Sequence, residues 1–212
     1  MEEIRYFNPW ADIEKHGLDL PHWEQPGGSY FITFRLADSI PQEKLECWMI
    51  ERDRWLAMHP KPWNADQEAE YHKKFSSRIE KWLDQGLGEC VLRQSNAAQA
   101  VRDVLMAFNG TRYQHHAWVI MPNHVHLLVS LAANTPLDDS LKAWKGASAR
   151  AVNLAVGRSG TLWQENYFDR LIRDSTHFFN AARYIRRNPT MARLQTSEYL
   201  LWESDWVQHL LG

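Results

Sequence analysis

Cysteine is nearly absent from this sequence: Cys47 and Cys90 are the only two in 212 residues. Two thiols build neither a disulfide framework nor a cysteine zinc ribbon, so a packed core must hold the fold, and a reducing, cytoplasmic setting is expected. Both cysteines read as small core residues. Long apolar runs are missing too, and the opening Met1-Glu2-Glu3-Ile4-Arg5 is acidic. Neither a secretory leader nor a membrane span is therefore expected, and no membrane partner. Net positive charge is also lacking, at −2 overall, which by itself counts against a nucleic-acid binder. No internal repeat or low-complexity tract occurs.

What is present is a globular composition with 11 tryptophans, enough for one sizeable core. Tryptophan can fill a core or stack on a nucleic-acid base, and composition does not separate the two. Charge is spread unevenly. Between Leu141 and Leu194 ten lysines and arginines face only Glu165, Asp169 and Asp174, so a basic carboxy-terminal half sits on an otherwise acidic chain and could track a phosphate backbone.

Residues 1–27 lack a period and read as an irregular arm. After Gly27-Gly28, residues 29–36 are β-branched and aromatic, which predicts a first strand. Pro41 opens a helix with Leu45, Trp48, Met49, Arg52, Trp55 and Leu56 at three- and four-residue spacing, ended by Pro60-Lys61-Pro62. A more charged helix over 66–84 carries Tyr71, Phe75, Ile79 and Trp82 on one stripe, ended by Gly86 and Gly88. Ser95-Asn96 can cap a third helix, with Ala98, Val101, Leu105, Met106 and Phe108 near one face.

Two strands follow, over 113–120 and 124–131, joined by a Met121-Pro122-Asn123 turn into an antiparallel hairpin. Thr135-Pro136 starts a long helix with Leu137, Leu141, Trp144, Ala147, Ser148, Ala151 and Leu154 inward, and Lys142, Lys145 and Arg150 outward. Residues 162–173 read as an extended strand or strand plus loop. Ser175 caps a last helix through Phe178, Phe179, Ala182, Tyr184 and Ile185, which Asn188-Pro189 should stop. The order predicts an α+β chain. Its core is a ferredoxin-like split βαβ antiparallel sheet with helices on one face, a helical insertion over 41–93 after strand one and an extra C-terminal helix bearing Tyr184. Residues 28–194 form one domain, and 195–212 a tail.

His124 and His126 flank Val125 on a predicted strand, so both imidazoles share a face while Val125 points into the core. Such a pair is half a metal site, and equally two polar positions on a solvated face. Tyr184 and Asn188 lie one helical turn apart, so they share a side if the helix survives to Asn188. Pro189 opposes that, because it pushes the preceding residue away from helical angles.

The stretch Ala117-Trp118-Val119-Ile120-Met121-Pro122-Asn123-His124-Val125-His126 resembles the His-hydrophobic-His motif of the HUH endonucleases. Gly160-Thr161-Leu162-Trp163-Gln164-Glu165-Asn166-Tyr167-Phe168-Asp169-Arg170 and Arg183-Tyr184-Ile185-Arg186-Arg187-Asn188-Pro189 resemble the REP-associated tyrosine transposases, single-tyrosine members of that superfamily with an IS200-like domain. The combination, over 28–194, is more specific than any piece.

The resemblance implies that His124 and His126 bind a divalent metal, Mg²⁺ or Mn²⁺, with Asn188 in the place of a third ligand. Tyr184 becomes the nucleophile that attacks single-stranded or hairpin DNA and leaves a 5′-phosphotyrosine link. Arg183, Arg186, Arg187 and the metal are expected to lower the Tyr184 pKa. Lys142, Lys145, Arg170, Arg173, Arg183 and Arg187 are the expected DNA contacts, and the protein a monomer or a homodimer. Tyr167 is a rival nucleophile. The reading from a different class is a non-catalytic DNA-binding module on the same fold. A two-histidine phosphoesterase would need a second His-x-Ser/Thr motif, and the sequence has none.

Overall fold

Strand β3 (Ser29–Arg35) alternates its side chains across the sheet, with Tyr30, Ile32 and Phe34 in one core and Phe31, Thr33 and Arg35 turned the other way. It is the second strand of a five-stranded antiparallel sheet in a computed structural model that describes residues 4–8, 10, 14–16, 22–60 and 63–212. The strand order is β6 (Phe168–Leu171), β3, β5 (His124–Leu131), β4 (Tyr113–Ile120), β7 (Leu200–Glu203). Its first four positions are the ferredoxin-like arrangement the sequence predicts. The hairpin strands β4 and β5 begin and end where the alternation placed them.

The two crossover helices, α4 (Ser95–Met106) and α5 (Leu137–Val156), lie together over one face. There Val101, Leu105, Leu141 and Trp144 meet Phe34, Trp118, Val125 and Leu127. The extra helix α6 (Ser175–Met191) covers the opposite face, with Phe178, Ala182 and Ile185 against Ala117, Val119 and Leu128. A register shift between His115 and Ala117 puts His116 on the same side as Ala117: His115 packs beside Trp144, and His116 beside Phe178.

The insertion has a third small core. Helix α1 (Gln42–Met58) packs Trp48 and Trp55 against Phe75, Ile79 and Leu83. Those residues belong to one helical run made of α2 (Ala65–Tyr71), a π-helical turn (His72–Ser76) and α3 (Ser77–Asp84). The sequence predicted one regular helix here, and the π turn is the difference; within it the Phe75 carbonyl accepts from the Trp48 indole at 3.2 Å. Of the expected Pro60-Lys61-Pro62 break, Lys61 and Pro62 lie outside the described residues.

Several expectations are corrected. Helix α6 continues through Pro189 to Met191. Proline costs it one hydrogen bond, but buried Phe178, Ala181, Ala182 and Ile185 already anchor the preceding turns, so packing overrides local preference. Its cap is Asp174, whose carboxylate accepts from the His177 amide at 2.7 Å, and not Ser175. On α5 the buried position is Val152, while Leu154, about 200° further round the helix, is 86 % exposed. Cys90 is buried, but Cys47 is exposed on α1.

The expected irregular arm contains a short pairing of β1 (Glu14–His16) with β2 (His22–Glu24). The expected tail supplies β7 and α7 (Asp205–Leu211); β7 covers the β4 edge with Trp202 stacked on Trp118, and Arg186 of α6 binds Glu203 through two hydrogen bonds of 2.9 and 2.8 Å. No helix among the described residues is long and apolar enough to cross a membrane.

Candidate functional site

The short Met121-Pro122-Asn123 turn starts β5 at His124, so the period of two puts His124 and His126 on the α6 face and fully buries Val125 behind them. Their Nε2 atoms are 3.0 Å apart. Two nitrogens held at about 2.1 Å from one cation, at a right angle, would be separated by roughly 3 Å.

Both outer nitrogens are engaged. His124 Nδ1 meets Asn123 Oδ1 at 2.7 Å, and His126 Nδ1 meets the Thr33 hydroxyl at 2.7 Å. The Asn123 amide nitrogen donates to the Leu83 and Leu87 carbonyls, so its oxygen faces His124 and can only accept. That fixes the proton on His124 Nδ1 and leaves a lone pair on Nε2, the tautomer a metal ligand needs. Burial holds His124 down to about 3, opposed by the Asn188 amide, and holds His126 well below the usual histidine range, helped by His124. Both rings are neutral at neutral pH.

Helix α6 lays Tyr184 and Asn188 over this pair. The Tyr184 ring meets His126 edge to face at 5.2 Å between centroids and Phe31 at 5.7 Å, while Phe31 stacks on His126 at 5.5 Å. Because the helix survives past Pro189, Asn188 stays one turn from Tyr184 and on the same side. Asn188 is 1 % exposed, and neither its Oδ1 nor its Nδ2 makes a hydrogen bond among the described residues. Its amide nevertheless lies close enough to His124 and Tyr184 to shift the titration of both.

An orphaned buried amide beside two neutral imidazoles fits a cation held by His124, His126 and Asn188. No cluster of three histidines, cysteines or carboxylates exists among the described residues, so a neutral amide is the third donor within reach.

The Tyr184 phenol is pushed up from its ordinary value. Burial is the main cause, with Glu80 and Asp84 adding to it, while Asn188 and Arg170 oppose. The expectation that its own helix would supply cationic help is corrected. Arg183 is exposed over the Phe179 ring, Arg186 is paired with Glu203, and Arg187 is exposed. These side chains project outward while Tyr184 faces the sheet.

The other predicted residues fall in three places. Arg170 borders the site and donates to His72 Nδ1 at 2.9 Å. Arg173 is held by Glu68 at 2.8 and 3.1 Å. Lys142 is exposed on α5, and Lys145 on the same helix donates to the Glu165 carbonyl. Tyr167 is buried in the α4–α5 core with its hydroxyl on Asp138.

Sequence reasoning missed the contribution of the insertion. Glu80 of α3 stands beside the Tyr184 hydroxyl and Arg170, in the wall of a cleft of about 340 Å³ whose floor is Thr33 and His126. Trp63, Tyr71 and Phe168 give that cleft an aromatic side. Glu80 lies more than a hundred positions from Tyr184 in the chain and no local pattern marks it. Asn123 carried a signal, as a polar residue directly before the histidine pair.

Residues 93–188 match the family described as transposase IS200 like. The chain is similar to the ISDra2 transposase TnpA of Deinococcus radiodurans, at 41 % identity over 54 residues, 23 % of this chain and 39 % of that protein. The match thus spans about two fifths of that relative's length. Among solved structures it is similar to a REP-associated tyrosine transposase bound to a REP hairpin: 16 % identity, TM-score 0.44, 82 % of this chain and 74 % of that one. It is also similar to a candidate transposase from Deinococcus radiodurans, at 16 % identity and TM-score 0.37, over 87 % and 98 %.

Proposed function

We propose, from the match of residues 93–188 to the IS200-like transposase family, that this protein is a metal-dependent single-stranded DNA nickase and strand transferase that uses Tyr184 as its nucleophile. The observation that carries the reading is the contact of Tyr184 with His126 at 5.2 Å, over two imidazoles whose Nε2 atoms face one point. His124, His126 and Asn188 would hold a divalent ion, Mg²⁺ or Mn²⁺. When bound, the ion polarises the scissile phosphodiester and offsets the charge that develops on it.

The residues of the chain do the rest. Thr33 and Asn123 fix the ring orientations of the histidines, as outer partners of ligands do. Phe31 and Ile185 hold α6 against the sheet and so set the place from which Tyr184 attacks. The hydroxyl oxygen bonds to phosphorus, and the DNA 3′-oxygen leaves and takes up a proton. Since bond energy is conserved in the phosphotyrosine link, the step is reversible and needs no nucleotide triphosphate. The buried phenol does not ionise unaided, and Glu80 is the carboxylate beside it to receive its proton.

Tyr184 and both histidines come from one chain, which supports a site that is complete in a monomer. A substrate of hairpin-forming repeated DNA rests on the motif likeness of residues 160–170 and 183–189 to REP-associated tyrosine transposases. The alternative reading is a non-catalytic DNA-binding module on the same fold, with the site idle.

The test is covalent capture. A pool of labelled oligonucleotides, each with a hairpin and randomised single-stranded flanks, is incubated with the protein and Mn²⁺ or EDTA. Adducts that survive denaturation, form only with metal and vanish in Tyr184→Phe support the enzyme. Metal-independent binding without any adduct supports the module.

A further inference from the structure

Two arginines are buried among the described residues, Arg52 at 2 % exposure and Arg35 at 4 %. Arg52 is compensated: it pairs with Asp53 at 2.6 Å and its guanidinium lies over the Trp48 ring. Arg35 has no such partner. Its Nη1 reaches the Ser39 hydroxyl at 3.1 Å and the Leu36 carbonyl at 3.5 Å, and no carboxylate among the described residues meets it. An enclosed guanidinium without a counter-charge is costly, and burial alone drives its pKa down to about 10.

Its position gives the cost a reason. Arg35 is the cross-strand partner of His124 in the β3–β5 register, so the two side chains leave the sheet on the same face, the face that carries Tyr184 and Asn188. A second cation, on the helix layer of the other face, lies within electrostatic reach at the strand end. Lys145 of α5 is half-buried and close enough to Arg35 to be repelled, with Glu165 as its opposing carboxylate and the Glu165 carbonyl as its hydrogen-bond acceptor. The buried guanidinium, which meets only a hydroxyl and a carbonyl among the described residues, leaves room in the charge balance for an anion, and Lys145 within electrostatic reach adds to it.

We propose that Arg35, seconded by Lys145, binds a non-bridging oxygen of a DNA phosphate next to the scissile one, and so sets the register of the strand on the His124–His126 platform. A planar guanidinium fork suits a phosphate, and its preorganised burial strengthens the bond to a charge that arrives with the substrate. The proposal rests on the reading of the site as a DNA strand transferase and adds a substrate contact to it.

The test measures binding rather than chemistry, so that its failure is separable from failure of the catalytic reading. An oligonucleotide is selected for affinity to the Tyr184→Phe protein, and neutral methylphosphonate linkages are then placed in it one position at a time. One linkage should weaken binding by about tenfold in the Tyr184→Phe protein and lose that effect when Arg35→Gln is added. Lys145→Gln, a change on a partly exposed helix face that keeps the fold, should weaken the effect of the same or the adjacent linkage. Without ligand, Arg35→Gln should melt no lower than its parent, because a buried unpaired charge has been removed. If Arg35→Gln does not fold, Arg35→Lys replaces it, with partial loss of the linkage effect expected. The proposal is overturned if every linkage acts equally in parent and variants, whatever their melting temperatures. Covalent capture by the unmutated protein, run in parallel, reports on the catalytic reading independently.

Discussion

Tyr184 and His126 touch edge to face within one chain, at 5.2 Å between ring centroids. The contact joins α6 to β5, two elements on which sequence motifs had been found separately. It also ranks the two tyrosines: Tyr184 lies over the histidine pair, whereas Tyr167 is tied to Asp138 in the other core.

Replacing each tyrosine by phenylalanine should separate chemistry from stability. Tyr184→Phe is expected to abolish covalent capture. Tyr167→Phe removes the hydroxyl that satisfies Asp138, so it should cost about 1–2 kcal/mol in urea unfolding and leave capture intact. Capture lost in Tyr167→Phe and kept in Tyr184→Phe would reverse the assignment.

Asn188 should show a trade between stability and metal affinity. Asn188→Leu fills the same space without an unsatisfied amide and is expected to raise metal-free stability by roughly 1–3 kcal/mol. Mn²⁺ binding measured by calorimetry should weaken in the same variant and strengthen in Asn188→Asp, because a carboxylate is the better ligand. Unchanged Mn²⁺ affinity in Asn188→Leu would remove Asn188 from the site.

Acid should destabilise the fold from a specific pH. His115 and His116 are 0 % and 4 % exposed, and burial holds them down to about 3 and about 4. Their folded values lie below the unfolded 6.5, so as pH falls the unfolded chain takes up protons first. No penalty exists above pH 6.5; below it each histidine costs roughly 1.4 kcal/mol per pH unit, levelling off near its folded value. Urea unfolding at pH 7, 6 and 5 should show the decline, and a shallower one in His116→Gln, which still reaches the Ser130 hydroxyl. A flat profile from pH 7 to 5 would refute it.

Cutting the chain after Leu194 should remove more than a tail. It exposes the β4 edge and Trp118 and leaves the Arg186 guanidinium without Glu203. Lower melting and self-association through the bare strand edge are expected in size-exclusion chromatography. A monomer as stable as the full chain would show that β7 is dispensable.

Much of the site was legible because it depends on local periodicity. Alternation over 113–131 gave both strands of the hairpin, and the period of two put His124 and His126 on one face without any knowledge of their neighbours. The survival of α6 beyond Pro189 was not legible, since it depends on Phe178 and Ile185 finding the sheet. Glu80 reaches Tyr184 only because the insertion folds back over the β6 edge, held there by Arg173 on Glu68. Nothing in the sequence around Arg35 marks it as buried. Its burial comes from the assembly of elements around the strand end, which no window of sequence contains.

The most direct measurement is to digest the metal-dependent DNA adduct of the unmutated protein with trypsin and locate the modified residue by mass spectrometry. The account predicts a nucleotide joined through phosphate to Tyr184, in the peptide that follows Arg183. Linkage to Tyr167 or to any other residue, or no adduct with a DNA the protein binds in Mn²⁺, would contradict it.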